Sequence, residues 1–255
     1  MNVFPTEAKK VKEELRRKVW SRMVSEGVAL PPFPVEGRIP NFRGAELAAR
    51  RLAEDDIFQE AKVIFCNPDS PQRHVREAAL RAGKVLIMAS PRLRSGFLLL
   101  DSSRIPGNAL SYASTIKGAF TYGRVLHSNV PQIDLKVSGS VAVSLDGGRV
   151  GKGGGFSDLE YAILREMRVI GEDTPVVTTV HDVQIVESIP MERHDVPLDR
   201  IYTPSKAIVT VRKYPRPRGI IWELLPEKQI EEIPLLRELR KNNKGRNPSL
   251  TSSPP

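Results

Sequence analysis

Residues 149–158 (RVGKGGGFSD) form a glycine-rich turn whose residue types and spacing suit the binding of an anion. The glycines at 153–155 follow the cations Arg149 and Lys152 and precede a predicted helix. Because glycine has no Cβ, backbone N–H groups can converge on a phosphate there, and a helix N-terminus adds attraction. The spacing differs from that of a P-loop and of a dinucleotide fingerprint. The turn predicts a phosphate site, with a mobile loop between a hairpin and a helix as the alternative.

Four further residues have side chains suited to ligand binding, and each also has an ordinary structural explanation. Lys12 and Arg16 lie four residues apart on a charged helix, where a solvated face is the usual arrangement. Asp69 precedes a predicted helix and fits an N-cap as well as a ligand contact. Asp158 falls in the first turn of a helix, where a carboxylate is favourable without any metal.

The histidines and the single cysteine give weaker indications of chemistry. His181-Asp182 and His194-Asp195 pair a group that titrates near neutrality with a carboxylate, but no nucleophile lies at an identifiable spacing. Structural roles are favoured, with Asp195 the better candidate for a ligand contact. Cys66 ends an apolar run, which indicates a buried position, and one cysteine excludes an intramolecular disulfide.

Alternating strands and helices must position these residues. The first half of the chain predicts a charged amphipathic helix, a proline-rich connector, a strand, a helix capped by Ser70 or Asp69, and another strand, at residues 7–26, 30–44, 62–66, 71–82 and 84–89. A strand–helix–strand unit implies a parallel sheet covered by helices, with ligands at the carboxyl ends of the strands.

The second half predicts elements on both sides of the glycine-rich turn. A strand-like run covers residues 133–145, and a helix covers 159–170, with Ser157 and Glu160 as a capping box. Two further strands are expected, at residues 175–180 and 207–211.

The glycine-rich turn resembles the RLGRGGGYYD signature of 5-formyltetrahydrofolate cyclo-ligases, also called methenyltetrahydrofolate synthetases. Lys12 and Arg16 resemble the family's N-terminal K-x-x-x-R pair, and Gln184 with residues 189–203 resembles its C-terminal segment, so the likeness spans residues 9 to about 205. The segments KVWSRM, RIPNFRGA, NPDSPQ and FSDLEY resemble one branch, the methenyltetrahydrofolate-synthetase-domain proteins.

The resemblance implies a fold and a reaction. The fold is α/β, a three-layer Rossmann-like sheet with helices on both faces, 5-formyltetrahydrofolate cyclo-ligase-like and related to NagB/RpiA/CoA-transferase-like proteins. The reaction is the ATP- and Mg²⁺-dependent closure of 5-formyltetrahydrofolate to 5,10-methenyltetrahydrofolate. A close ATP-dependent relative with another small substrate is included in this expectation. Phosphoryl transfer of this kind depends on charge neutralisation and positioning more than on a covalent nucleophile.

The resemblance also implies roles for individual residues. The catalytic cations would be Lys12, Arg16, Arg149 and Lys152. ATP would contact the same four side chains and the rest of the turn, namely Gly151, Gly153, Gly154, Gly155, Phe156, Ser157 and Asp158. Asp158 would hold Mg²⁺, and the second substrate would contact Asp69, Phe156 and Asp195.

Two positions depart from the family signature. Phe156 and Ser157 replace its two tyrosines, so two phenolic hydroxyls are missing from the turn. The residues that would contact phosphate therefore match the family signature better than the residues that would contact folate. The alternative is a homologue that binds a nucleotide, a folate or a nucleic acid without turnover.

Composition sets the remaining expectations. The 39 Lys and Arg residues exceed the 30 Asp and Glu residues and give a net charge of +9, which favours anionic partners. Residues 1–211 are expected to form the cyclo-ligase-like domain, 212–240 a basic extension, and 241–255 a disordered tail. The segment KYPRPR (213–218) is compatible with nucleic-acid contact, although a solvated terminal element is favoured.

Partners and location follow from the same observations. No apolar run approaches the roughly 20 residues that span a bilayer, and the N-terminus lacks a signal-peptide pattern. We therefore expect a cytoplasmic monomer or homodimer that binds ATP and a folate-like small molecule and makes no membrane contact.

Overall fold

The computed structural model describes residues 6–246. The helices are α1 Glu7–Ser25, α2 Ala45–Ala53, α3 Asp56–Glu60, α4 Arg73–Arg81, α5 Leu110–Ala113, α6 Ile116–Tyr122, α7 Phe156–Glu166, α8 Glu227–Glu232 and α9 Pro234–Arg246. Within the described range, no helix combines the length and the apolar character needed to cross a bilayer.

The strands form one large sheet and two small ones. Their bounds are β1 Ala29–Leu30, β2 Asn41–Phe42, β3 Val63–Cys66, β4 Val85–Ala89, β5 Phe97–Asp101, β6 Arg124–Leu126, β7 Leu135–Ser138, β8 Ala142–Ser144, β9 Arg149–Val150, β10 Val176–Thr179, β11 Ile185–Val186, β12 Arg200–Tyr202 and β13 Ala207–Val209. The large sheet has the order β13-β12-β10-β7-β3-β4-β5-β6, and the small sheets are β1-β2 and β11-β8-β9.

The centre of the large sheet is parallel and its edges are antiparallel. Strands β12, β10, β7, β3 and β4 run in the same direction, whereas β13, β5 and β6 pair antiparallel. The predicted α/β fold, a Rossmann-like sheet, is confirmed. Strands β5 and β6, at one end of the sheet, were not predicted from the sequence.

Side chains alternate between the two faces of the sheet and build two apolar layers. Ile64 and Cys66 of β3 pack with α2, α4 and their neighbours, while Phe65 between them packs with α7 on the opposite face. This is the period of two that a strand imposes. Cys66 is buried as expected, and burial raises the pKa of its thiol to about 12. Helices therefore cover both faces, which gives the predicted three layers.

Two predicted elements differ in detail from those of the structure. The run 133–145 is broken after Ser138, so that β7 joins the large sheet and β8 the small one. Helix α4 begins at Arg73 after Gln72, which makes no side-chain cap, so the predicted capping by Ser70 or Asp69 is wrong. The reason for the Asp69 error is tertiary, because Lys152 donates to that carboxylate.

The C-terminal segment packs against the domain. Ile230, Ile233, Leu235 and Leu236 are buried in the same apolar cluster as α7. Helix α9 continues to Arg246, into the stretch 241–255 that was expected to be disordered, and residues 247–255 lie outside the described residues. The segment is thus a covering layer over α7 rather than a solvated extension.

We predict that Leu236→Ala destabilises the whole domain. Leu236 is fully buried, and truncating a buried leucine removes apolar contacts and leaves a cavity, at a cost of about 2–5 kcal/mol. The matched control is Leu145→Ala, because Leu145 is 52% exposed and should change stability by less than about 0.5 kcal/mol. Equilibrium urea unfolding measures both. Equal stability of the two variants would contradict a packed C-terminal segment.

Candidate functional site

The glycine-rich turn leads directly into α7. The helix begins at Phe156, and its N-cap Gly155 adopts the left-handed conformation with φ of 66°. A side chain would be strained in that conformation, so glycine is the natural residue there. The predicted capping box is wrong, because the helix begins earlier and Ser157 and Glu160 lie inside it. Their side chains are free to face a cavity instead.

A buried ion pair fixes the base of the turn. The Arg149 side chain is 2% exposed, and its guanidinium donates to Asp158 Oδ2 at 2.7 Å and to the Gly139 carbonyl at 2.9 Å. The other Asp158 oxygen accepts the Val196 N–H at 3.0 Å. Burial raises the pKa of Asp158, but the Arg149 charge and these hydrogen bonds outweigh burial and hold it below its ordinary value. Asp158 is therefore ionised.

Helix α1 brings Arg16 to the turn and Lys12 to the adjoining segment 192–195. Helix α1 packs against the small sheet β11-β8-β9 through Val19, Trp20 and Met23. This packing orients Lys12 and Arg16 inward. Arg16 Nε donates to the Gly151 carbonyl at 2.7 Å. Both cations are largely buried, so the sequence-based alternative of a solvated charged face does not apply to them.

Lys12 lies among carboxylates of the segment 192–195. Its Nζ donates to Glu192 Oε2 at 3.0 Å and to Asp195 Oδ2. One potential ligand atom from each of Glu192, His194 and Asp195 lies within 4.8 Å of the others. Asp195 is next to Val196, whose N–H binds Asp158, so the two aspartates lie at the same end of the turn.

A cavity of about 450 Å³ opens beside the turn. Its walls include residues that directly follow β3, β4 and β7, namely Asn67, Pro68, Asp69, Ser90, Pro91 and Gly139. This is the carboxyl edge of the parallel strands, where the fold predicts a ligand site. A Cβ on Gly139 would lie 2.8 Å from an Asp69 oxygen, so a larger residue here would displace the Asp69 carboxylate.

Lys152 faces this cavity from the turn. Its Nζ donates to Asp69 Oδ1 at 2.8 Å, and its side chain is 42% exposed. Asp69 and Phe156 line the same cavity, as the predicted substrate contacts should. Asp195, the third predicted contact, is held by Lys12 and is not among the lining residues.

The cavity floor contains a polar cluster that sequence reasoning missed. Lys136, in the middle of β7, is fully buried, and its Nζ donates to Ser138 Oγ at 2.8 Å and Ser157 Oγ at 3.2 Å. Asn67 donates to the Glu160 carboxylate and accepts from Ser157 Oγ at 2.8 Å. The sequence offers only a weak signal for it, a lysine between the apolar residues Leu135 and Val137.

Burial shifts both charged members of this cluster toward neutrality. It lowers the pKa of Lys136 to about 8 and raises the pKa of Glu160 to about 7, while the attraction between the two charges opposes each shift. Glu160 lines the cavity and Lys136 lies behind it. Near neutral pH either group can therefore gain or lose a proton at little free-energy cost, so the cavity floor can act as a hydrogen-bond donor or acceptor toward a ligand.

The remaining sequence candidates have structural partners. His181 Nδ1 accepts the Val183 N–H at 3.2 Å and Gln184 caps the same turn, so the structural role expected for His181 is confirmed. In the basic segment 213–218, Arg216 is buried and donates to Asp199 and to two carbonyls. That cation is unavailable to a nucleic acid.

Most of the chain is similar in sequence to known proteins. The sequence profile described as the 5-formyltetrahydrofolate cyclo-ligase family matches residues 8–204. The methenyltetrahydrofolate synthase domain-containing protein of Danio rerio is 41% identical over 239 residues, which cover 90% of this chain and 61% of that protein. The chain thus spans about three fifths of the length of such relatives.

Two further matches are shorter or more distant. The 5-formyltetrahydrofolate cyclo-ligase of Escherichia coli (strain K12) is 36% identical over 75 residues, or 29% of this chain and 38% of that protein. The NMR structure of Aquifex aeolicus 5,10-methenyltetrahydrofolate synthetase superposes with a TM-score of 0.50 at 19% identity, covering 80% of this chain and 94% of that one. At that identity the structural likeness supports the fold.

We predict that the buried charges of Lys136 and Glu160 both lower stability and that the full gain requires removing both of them. Lys136→Met alone should be less stable than the variant that also neutralises Glu160, because it leaves Glu160 buried without the attraction of Lys136. Lys136→Met combined with Glu160→Gln should be neutral or stabilising by about 1–4 kcal/mol. Chemical denaturation measures both, and a double variant as unstable as the single one would contradict the prediction.

The advantage of the double variant should depend on pH. Ionising Glu160 opposes folding increasingly as the pH rises from its ordinary pKa of 4.5 to about 7. The charge on Lys136 opposes folding below about pH 8, and this penalty disappears as the pH rises toward 10.5. The difference in the free energy of unfolding between the double variant and wild type should therefore peak between pH 7 and 8 and shrink at lower and higher pH. Denaturation curves recorded between pH 4.5 and 10.5 measure it.

Proposed function

The chain belongs to the 5-formyltetrahydrofolate cyclo-ligase family, and we propose that it is an ATP- and Mg²⁺-dependent ligase that forms a C–N bond by cyclising 5-formyltetrahydrofolate or a closely related folate. The observation that carries this proposal is the convergence of Arg16, Arg149 and Lys152 on one glycine-rich turn beside a cavity, with Lys12 bound to the adjoining segment 192–195. A triphosphate needs such charge neutralisation, and a second substrate needs the cavity.

The proposed reaction has two steps that the turn would serve. The formyl oxygen attacks the γ-phosphorus of ATP and ADP leaves. N10 then attacks the formyl carbon and loses its proton, and phosphate leaves, carrying that proton, as 5,10-methenyltetrahydrofolate forms. Lys12 and Arg16 would neutralise the γ-phosphate, while Arg149 and Lys152 would face the phosphate chain. Backbone N–H groups at 153–155, before α7, would add hydrogen bonds.

The donor chemistry at the turn fits Mg²⁺, which prefers carboxylate oxygen and water. Asp158 is ionised and lies next to the Asp195 segment, so these two carboxylates would hold the ion directly or through water. The ion would supply positive charge against the phosphate oxygens. Arg149 already neutralises one Asp158 oxygen, which favours a shared contact over a site built on Asp158 alone.

The cavity supports a folate-like second substrate. Phe156 offers an aromatic ring to a flat heterocycle, while Asp69, Glu160 and Asn67 offer polar atoms to its N–H and carbonyl groups. Ser157 is bound to Asn67, so it shapes the cavity floor rather than replacing a tyrosine hydroxyl. Phe156 and Ser157 therefore define a folate half that differs from the family signature.

We predict that Lys152→Ala lowers kcat/KM about 10²–10³-fold, because it removes a charge aimed at the phosphates. The assay follows methenyltetrahydrofolate absorbance and ADP release with 5-formyltetrahydrofolate, ATP and Mg²⁺. The matched control is Lys10→Ala, since the Lys10 side chain is 56% exposed and pairs with Glu7 away from the turn. It should retain wild-type activity.

The outcomes of this assay separate ligase from binding module. Wild-type protein that neither forms the product nor consumes ATP would overturn the enzyme proposal. ATP binding by calorimetry without turnover would then identify a non-catalytic nucleotide-binding homologue. Equal loss of activity in Lys152→Ala and Lys10→Ala would show that the turn has no special part in the reaction.

A further inference from the structure

A second, smaller pocket lies on the other side of the glycine-rich turn. It measures about 270 Å³ and is walled by apolar side chains from α7 and from the C-terminal segment, namely Leu159, Ala162, Ile220, Ile221, Leu224 and Leu225. A pocket for a whole drug-sized ligand usually measures about 300–1,000 Å³. This one suits a flat fragment of a ligand whose remainder binds elsewhere.

Helix α7 separates this pocket from the polar cavity. Phe156, Ser157 and Glu160 line the cavity, whereas Leu159 and Ala162 line the pocket. That division follows from the helical period, because residues three or four apart share a face. The two spaces therefore meet only near the start of the helix.

The meeting point is the glycine-rich turn itself. Gly154, Gly155 and Asp158 line both the cavity and the pocket. A phosphate chain at the start of α7 would consequently have the polar cavity on one side and the apolar pocket on the other. A nucleotide carries its flat, mostly apolar base at the end of the phosphate chain opposite to the reacting phosphate.

The pocket also has polar groups suited to a base. Gln229 and His194 line it together with the apolar side chains. A glutamine amide presents a donor and an acceptor side by side, which matches the adjacent N6 donor and N7 acceptor of adenine. An acyl chain or a leucine-rich peptide would use the apolar wall but not these groups.

We propose that this pocket binds the base of the nucleotide whose phosphates lie on the glycine-rich turn. The wall contributed by residues 217–229 lies outside residues 8–204, which match the family profile. The C-terminal segment therefore completes the nucleotide site and sets its base specificity. This inference rests on the proposed ATP-dependent function.

Calorimetry with two probes, ATP and inorganic tripolyphosphate, tests the proposal on the full chain. Ala162→Leu inserts a larger side chain into the pocket and should weaken ATP binding at least about tenfold. Leu224→Ala removes part of the opposite wall and should weaken it a few-fold. Neither variant should change the affinity for tripolyphosphate, which has no base. Leu224 is 48% exposed, so its truncation should leave the fold intact.

The matched control is Leu145→Ala, which truncates a leucine of similar exposure and should bind both probes as wild type does. If wild-type protein binds ATP and the two pocket variants do not weaken it, the base binds elsewhere and the inference is wrong while the phosphate site stands. If both probes weaken together, the pocket supports the turn rather than a base. If wild type binds neither probe, the proposed function itself fails.

Discussion

The buried ion pair between Arg149 and Asp158 is the contact on which the rest of the site depends. An arginine at the base of a short strand is removed from water, and Asp158 supplies the counter-charge that makes this burial tolerable. The same pair connects the Gly139 carbonyl, the first turn of α7 and the Val196 N–H. The segments around Gly139, Asp158 and Val196 therefore meet at one ion pair.

From that pair a series of polar contacts runs through the segment 195–196 and helix α1 and ends at Gly151 of the turn. Asp158 binds the segment that contains Asp195, and Asp195 accepts from Lys12 of α1. One helical turn further along α1, Arg16 donates to the carbonyl of Gly151. These contacts thus hold the glycines between charges that are already fixed. Cations held in place in this way would lose little freedom on binding the proposed phosphate, which favours electrostatic stabilisation.

The sequence predicts these contacts better than it predicts the cavity floor, for a physical reason. The glycine-rich turn and the Lys12–Arg16 spacing are local patterns, and local patterns can be recognised in the sequence without knowledge of the fold. Lys136 is different, because it reads as the polar position of a half-exposed strand until β7 is placed between β3 and β10, where both faces are buried. Glu160 fits a capping box until the left-handed Gly155 starts α7 ahead of Ser157. The C-terminal segment likewise reads as charged from composition, although its isoleucines and leucines cover α7.

The Lys136–Glu160 pair bears on function because stability does not account for it. Two charges taken out of water lose more hydration than their attraction usually returns, so well-packed apolar residues would serve the core as well or better. The pair lies under the cavity, in contact with Asn67 and Ser157, whereas the opposite face of α7 presents Leu159 and Ala162. One helix thus divides a polar chamber from an apolar pocket, and its N-terminus lies between them. A site that joins two different substrates through a phosphate needs that division, because each substrate must meet a surface of its own chemistry while both reach the same few backbone N–H groups.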